Sequence, residues 1–210
     1  DHALVDLLGE QAWGTRNFAV INLRTAHLPY EENYDQHTEP VASWPITPAL
    51  PREERQRNAY DNAIGYLDDV LAEVIARFDQ LQGERYLLIT GDHGQLLGEG
   101  GRWGHNDLLP QVAEVPVMVL AREAPEAALE SLRQEQWISH HEAGLWLAER
   151  LGQRVENPNR VAGEHFVQGK QLFGDNMIQR VRETPAGLVF DEPRLLSRWL
   201  RDLGQAPSTP

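Results

Sequence analysis

The chain has 210 residues, and its 32 acidic and 19 basic side chains give a formal net charge of −13, with no cysteine. This length suits one domain with a sizeable core, or most of one. The negative charge argues against nucleic acid and against an anionic membrane surface as partners. The lack of cysteine excludes disulfides and thiol chemistry. Since no apolar run is long enough to span a bilayer, we expect this piece to need no membrane contact.

The first third of the chain predicts a strand, a loop and a long helix. The apolar run Phe18–Leu23 indicates a buried strand, and the loop after it contains His27. Taken alone, His27 is typical of a histidine pinned in a turn. Four prolines between Glu39 and Pro51 exclude a helix and a central strand, so we expect a surface loop there. Apolar residues at helical spacing predict an amphipathic helix over Arg55–Leu81, whose aspartates are typical of a solvated face.

Asp92 and His93 directly follow a second predicted strand. The apolar run Tyr86–Ile89 is too short for a buried helix and suits a strand covered on both faces. The strand–helix–strand order from Phe18 to Thr90 predicts a βαβ unit with parallel strands, and ligands bind at the carboxyl edge of such sheets. A carboxylate and an imidazole at that edge suit zinc, manganese or a harder cation. The alternative is that Asp92 caps a turn while His93 bonds a backbone carbonyl.

The loop after this pair is rich in glycine and carries further polar side chains. Five glycines within Gly91–Gly101 allow tight turns and a close approach of the backbone to a ligand. The polar side chains that follow are Arg102, His105 and Asn106. Strands near 17–23, 85–90 and 115–121 are therefore expected to point their C-terminal ends at a common site.

The rest of the chain predicts helices and a hairpin. Helical patterns span Pro125–Gln134, Ile138–Leu151 and Leu195–Leu203. The stretch Ile178–Phe190 indicates a hairpin around Pro185-Ala-Gly187. His140 and His141 point about 100° apart on a helix, so we interpret them as helix-start residues rather than a metal pair.

Several of these motifs together resemble one family. The segment Thr90-Gly-Asp-His-Gly-x-x-Leu-Gly-Glu-x-Gly-x-Trp-Gly-His, followed by Val115-Pro-x-Met-Val119, resembles the alkaline phosphatase superfamily. Upstream, Asn17-Phe-Ala-Val-Ile-Asn-Leu23 and His27-Leu-Pro-Tyr30 resemble the family's strand and its His-x-Pro-aromatic loop. The closest branch looks like the sulfatases and the related envelope phosphoethanolamine and glycerol-phosphate transferases.

The resemblance implies a fold, a cofactor and a set of site residues. The implied fold is α/β, a mainly parallel sheet sandwiched by helices, incomplete here and with a small C-terminal α+β portion. The implied cofactor is one divalent metal ion (zinc, manganese or calcium), with Asp92 and His93 as its ligands.

The remaining implied roles concern an anionic sulfate- or phosphate-ester substrate. His105 and His27 are the implied catalytic residues, which contact the transferred group. Asn106 and Arg102 are the further substrate-binding residues. Glu99 is a weaker candidate, for which a role in a turn or helix cap is the simpler interpretation.

The chain departs from the family pattern at the nucleophile. Sulfatases use Cys or Ser in a Cys/Ser-x-Pro-x-Arg motif and the transferases use Thr, but this chain has no Cys and no Ser-x-Pro-x-Arg. The carboxylate ligands of the family's first strand are also absent. Because the chain begins at Asp1, we expect it to be the C-terminal part of a longer protein. We expect residues 1–174 to belong to the catalytic domain and residues 175–210 to pack on it.

The sequence therefore predicts a metal-dependent hydrolase of sulfate esters, represented by a piece without its nucleophile. One alternative is a phosphoethanolamine or glycerol-phosphate transferase of the cell envelope. A second is a non-catalytic sensor or interaction module on the same fold. By resemblance, the full-length protein is expected to be membrane-anchored, with this piece facing the periplasm or cell envelope.

Overall fold

The computed structural model describes residues 1–34, 44–158, 160–170 and 176–205. Within these ranges the α-helices are α1 (His2–Glu10), α2 (Arg52–Gln80), α3 (Pro110–Ala113), α4 (Glu130–Arg133), α5 (His140–Arg150) and α6 (Leu196–Gln205). The strands are β1 (Arg85–Thr90), β2 (Leu96–Leu97), β3 (Trp103–Gly104), β4 (Val117–Arg122), β5 (Glu164–Lys170), β6 (Asn176–Thr184), β7 (Gly187–Phe190) and β8 (Arg194–Leu195). Short 3₁₀ helices cover Tyr30–Glu32, Glu99–Gly101 and Glu126–Leu129.

The strands of the described ranges form three small sheets. β1 is the neighbour of β4, β2 pairs with β3 as an antiparallel ribbon, and β6 pairs antiparallel with β5, β7 and β8. The described residues thus mix helices and strands, as an α/β protein does. A mainly parallel sheet stays a prediction, because β2 pairs antiparallel with β3 and β6 pairs antiparallel with β5, β7 and β8. No helix in the described ranges has both the length and the apolar character needed to cross a membrane.

The chain divides into two compact units. The first comprises Asp1–Leu87 and Leu120–Ala124, and the second comprises Leu88–Val119 and the described residues from Pro125 onward. The predicted domain boundary at 174–175 lies outside the described residues, so that division stays a prediction.

The first unit is built on α2, whose 29 residues confirm the helix predicted over Arg55–Leu81. Its buried side chains follow the three- and four-residue spacing of one helical face: Ala59, Ala63, Tyr66, Val70, Val74 and Phe78. Val5 of α1 and Tyr30 pack on this face and are 1% and 0% exposed. Burying a valine or phenylalanine side chain of this face, such as Val70 or Phe78, contributes about 1.5–3 kcal/mol relative to leaving it exposed, so the face stabilises the unit.

The segment predicted as a strand at 17–23 is not a strand in the structure. Its side chains still alternate: Ile21 and Leu23 pack on the core, whereas Phe18 and Val20 are 59% and 78% exposed. A strand requires a neighbour for its backbone hydrogen bonds, and no strand pairs with this segment among the described residues. The predicted βαβ unit is therefore not observed, although β1 and β4 confirm the strands predicted near 85–90 and 115–121.

The second unit contains the predicted hairpin and the helix α5. β6 and β7 pair with Thr184 opposite Gly187, which confirms the hairpin predicted around Pro185-Ala-Gly187. α5 begins with a capping box, in which Ser139 and Glu142 exchange side-chain and backbone hydrogen bonds. The indole of Trp146 donates to the carbonyl of Ala128 (2.8 Å) and anchors the middle of the same helix.

Candidate functional site

The candidate site is the loop that leaves β1 and returns through the β2–β3 ribbon. Asp92 and His93 follow directly after β1 ends at Thr90. In the ribbon Leu96 lies opposite Gly104, so the chain turns back on itself and His105 comes next to His93. The local pairing thus brings together residues that the sequence places twelve positions apart.

Asp92 and His93 form a compact pair. The backbone N–H of His93 donates to Oδ1 of Asp92 (3.1 Å), and Nε2 of His93 lies 3.8 Å from Oδ2 of the same carboxylate. The Asp92 side chain is 92% exposed and that of His93 is 34% exposed. One oxygen and one nitrogen donor are therefore held near each other and remain accessible.

The hydrogen bond at the other ring nitrogen fixes the tautomer of His93. Nδ1 of His93 lies 2.9 Å from the carbonyl oxygen of Gly94. Because a carbonyl can only accept, Nδ1 must carry the proton, and in the neutral ring the lone pair is on Nε2. This arrangement is the usual one for a histidine that ligates a metal. The alternative drawn from the sequence, a His93 bonded to a backbone carbonyl, describes the same contact and leaves Nε2 available.

The two donor atoms meet the distance requirement for a shared cation. Metal–ligand distances of about 2.0–2.6 Å allow one ion to bridge atoms up to about 4–5 Å apart, and the two donors lie 3.8 Å apart. In the described part of the chain, however, no cluster of three or more His, Cys, Asp or Glu side chains is arranged to hold a metal ion. Asp92 and His93 thus suit a metal but supply only part of a coordination shell.

His105 stacks on His93 and is oriented by Gln95. The two imidazole rings are 4.0 Å apart between centroids with an interplanar angle of 25°. Nδ1 of His105 lies 3.2 Å from Oε1 of Gln95, and since an amide oxygen only accepts, Nδ1 is the donor. In the neutral ring the lone pair of His105 is then on Nε2. Sequence reasoning did not identify Gln95, because nothing in its position marks it before the ribbon brings it under His105.

The loop is fixed to α3 at Gly94. Its N–H donates to the carbonyl of Val112 (2.7 Å), and a Cβ added at Gly94 would lie 2.1 Å from the carbonyl oxygen of Gln111. Only glycine allows this approach. The carbonyl that orients His93 is consequently held by backbone contacts and does not depend on a mobile side chain.

The remaining predicted loop residues lie at the ribbon's turn and just beyond it. Glu99 accepts from the backbone N–H of Leu97 (2.6 Å), which is the turn role preferred for it from the sequence. Gly98 has a φ of 114° and its N–H donates to Arg102 (2.9 Å), closing the turn. The side chains of Arg102 and Asn106 are exposed on the same loop as His105.

His27 belongs to the first unit and the loop belongs to the second. A common site formed by His27 and the loop therefore stays a prediction. Its Nδ1 lies 2.5 Å from the carbonyl oxygen of Leu28, and its own carbonyl accepts from the amide of Asn33. The next residues form a cis Leu28–Pro29 bond and lead to the buried Tyr30. His27 itself is exposed at the end of this tightly bonded turn.

Comparisons with known proteins add a family and one relative. A family model described as Sulfatase matches residues 2–143, which is more than half of the chain. Over 108 residues the chain is 34% identical to a Haloferax volcanii protein described as the low-salt glycan biosynthesis sulfotransferase Agl7. That match covers 48% of this chain and 25% of the relative, so the matched part spans about a quarter of the relative's length.

Proposed function

The chain belongs to the sulfatase family, and on that premise we propose that its β1–β3 loop is one half of a metal-dependent site for sulfate esters. The observation that carries the proposal is the hydrogen bond from Nδ1 of His93 to Gly94, which leaves Nε2 as a ligand atom 3.8 Å from the Asp92 carboxylate. Sulfatases generally use a divalent metal. Asp92 and His93 are the residues of this chain that would hold it.

The chain's own residues then have distinct tasks. A bound divalent ion supplies Lewis-acid polarisation of the ester oxygens. With both ring nitrogens protonated, His105, whose Nδ1–H is held by Gln95, would donate its Nε2 proton to a sulfate oxygen or to the leaving oxygen. Arg102 offers a planar fork of N–H donors to the same oxygens. Because the whole chain carries a net charge of −13, an anionic ester requires such local cationic groups.

A sulfuryl transfer to an acceptor other than water is the second candidate reaction. The relative from Haloferax volcanii is described as a sulfotransferase of glycan biosynthesis, which favours sulfate over phosphate as the transferred group. A glycan acceptor would also place the reaction at the cell envelope. The same ligand pair and histidines would serve a hydrolase or a transferase, so these residues of the chain do not distinguish the two acceptors. The stacked, oriented His93 and His105 argue against a non-catalytic module, which would not require this geometry.

Metal titration of substituted chains tests the proposal. We expect Asp92→Ala and His93→Ala each to weaken the binding of zinc, manganese or calcium by about tenfold or more in isothermal titration calorimetry. The matched control is Asp61→Ala, which removes an exposed carboxylate from α2 and should leave the affinity unchanged. If the Asp92→Ala, His93→Ala double variant binds metal as the unsubstituted chain does, the assignment is wrong.

A further inference from the structure

A histidine from α5 contacts the backbone just before Asp92. Nε2 of His140 lies 2.9 Å from the carbonyl oxygen of Gly91, although the two residues are 49 positions apart. The hydroxyl of Thr90 donates to the same oxygen (3.2 Å) and lies 3.4 Å from His140 Nε2. Since the carbonyl can only accept, Nε2 of His140 is a donor, and the Gly91 oxygen receives two hydrogen bonds from two elements.

These two bonds constrain the peptide that leads into Asp92. The Gly91 carbonyl and the Asp92 N–H belong to one planar unit, so fixing the oxygen also fixes the direction in which Asp92 leaves the strand. Glycine has more backbone freedom than any other residue, and without the bonds Gly91 would let the chain rotate at this point. The constraint therefore acts where the backbone would otherwise be least restricted.

The donor is itself held firmly. His140 is the first residue of α5 and follows Ser139, whose capping box with Glu142 fixes the start of the helix. The indole of Trp146, two turns along, is bonded to Ala128. His141, the next residue, points away from His140 by about 100° on the helix. The two adjacent histidines therefore face different directions, although both are exposed.

We propose that His140 is a positioning residue: its Nε2–H holds the Gly91–Asp92 peptide so that the Asp92 carboxylate stays beside His93. This inference rests on the proposed function in so far as Asp92 is a metal ligand. It assigns a role to a side chain outside the loop, and it couples the start of α5 to the site through one backbone carbonyl.

Backbone NMR of the 210-residue chain tests this without requiring metal. We expect His140→Ala to shift the Asp92 amide resonance and to lower its order parameter from a rigid value of about 0.85 toward 0.6. His140→Gln, whose amide N–H also donates, should restore most of both. The matched control His141→Ala should leave the Asp92 amide as in the unsubstituted chain. Calcium titration of the same samples should show about tenfold weaker binding for His140→Ala and near-normal binding for His140→Gln.

The outcomes separate this inference from the proposed function. An unchanged Asp92 amide in His140→Ala overturns the positioning role. So does an equal disturbance in His141→Ala, because the effect would then come from the helix start as a whole. If calcium binds equally to the unsubstituted chain and to Asp92→Ala, the metal assignment fails, while the amide measurements still decide whether His140 holds the peptide.

Discussion

At the scale of single residues, Gly94 shows how little space the site loop has. A Cβ there would lie 2.1 Å from the Gln111 carbonyl oxygen, so we expect Gly94→Ala to force the loop away from α3 and to destabilise the chain by about 1–3 kcal/mol. The Gly94 carbonyl would move with it, and the hydrogen bond that sets the His93 tautomer would weaken. Both the midpoint of urea unfolding and the metal affinity of Gly94→Ala should therefore be lower than those of the unsubstituted chain.

Replacement of a glycine in α5 by alanine is the matched control. A Cβ at Gly144 would meet no atom within 4 Å, so Gly144→Ala should stabilise the helix by about 0.5–1 kcal/mol. Opposite shifts of the two urea midpoints would support the close approach at Gly94. A Gly94→Ala chain with the unsubstituted midpoint and metal affinity would show that the loop has room to move.

The sequence identifies some site residues and not others, for a physical reason. Asp92 and His93 stand out because they follow an apolar strand directly, and that relation is local in the chain. Gln95 and His140 do not, because their contacts depend on the register of the β2–β3 ribbon and on where α5 begins. Candidate ligands that are adjacent in the chain can be proposed from the sequence, whereas the residues that orient them are found only from tertiary structure.

At the scale of elements, the contacts at the start of α5 predict that the stability of the folded chain depends on pH. Burial alone would raise the pKa of Glu142, but hydrogen bonds from Ser139 and the charges of His165 and Arg160 hold that pKa below its ordinary value of 4.5. Ionised Glu142 therefore stabilises the folded chain. This contribution is complete above about pH 4.5 and is lost as the pH falls through the lowered pKa.

We accordingly expect thermal unfolding of the chain to shift to lower temperature as the pH falls below about 4.5, and the shift to be smaller in Glu142→Gln. Glutamine can still accept from Ser139 but carries no charge to lose. Glu149→Gln, an exposed glutamate of the same helix, should keep the full pH dependence. If the unfolding temperature of Glu142→Gln fell with pH as steeply as that of the unsubstituted chain, the assignment of this pH dependence to Glu142 would be wrong.

Elements with local patterns were predicted well and elements that depend on partners were not. α2 is recognisable from its apolar spacing, and the β6–β7 hairpin from its turn residues. The segment 17–23 has the composition of a strand, but composition supplies no neighbouring strand. The sequence does not predict β5, because Glu164–Lys170 contains a glycine and several polar residues. Its strand conformation depends on the backbone pairing with β6.

At the scale of the whole molecule, the order of motifs was more informative than any single motif. The resemblance to sulfatases was drawn from the segments around His27, Asp92 and Val115, and the family match over residues 2–143 confirms it. The order of the motifs along the chain is informative even though His27 lies in the first unit and the loop in the second, and the placement of one unit relative to the other is not described. The family could thus be predicted from the sequence, while the parallel sheet and the shared site remain predictions.

The last prediction concerns the catalytic competence of the 210-residue chain: it should not turn over sulfate or phosphate esters. Covalent transfer requires a nucleophile held about 3 Å from the electrophilic centre and in line with the leaving oxygen. The chain has no cysteine and no Ser-x-Pro-x-Arg. The hydroxyls closest to the motifs are engaged elsewhere: Thr90 donates to the Gly91 carbonyl, and Thr25, 1% exposed, donates to the Asp1 carboxylate.

Attack by a metal-activated water is also expected to be weak, because Asp92 and His93 would provide only two ligands where catalytic zinc sites usually have three from the protein. The assay is hydrolysis of nitrophenyl sulfate and nitrophenyl phosphate with zinc, manganese or calcium, with Asp92→Ala as the control. We expect both chains to give the same background rate. Turnover by the unsubstituted chain that disappears in Asp92→Ala would show that this chain carries its own nucleophile or activates water, and the division into a half-site with ligands and a separate nucleophile would be wrong.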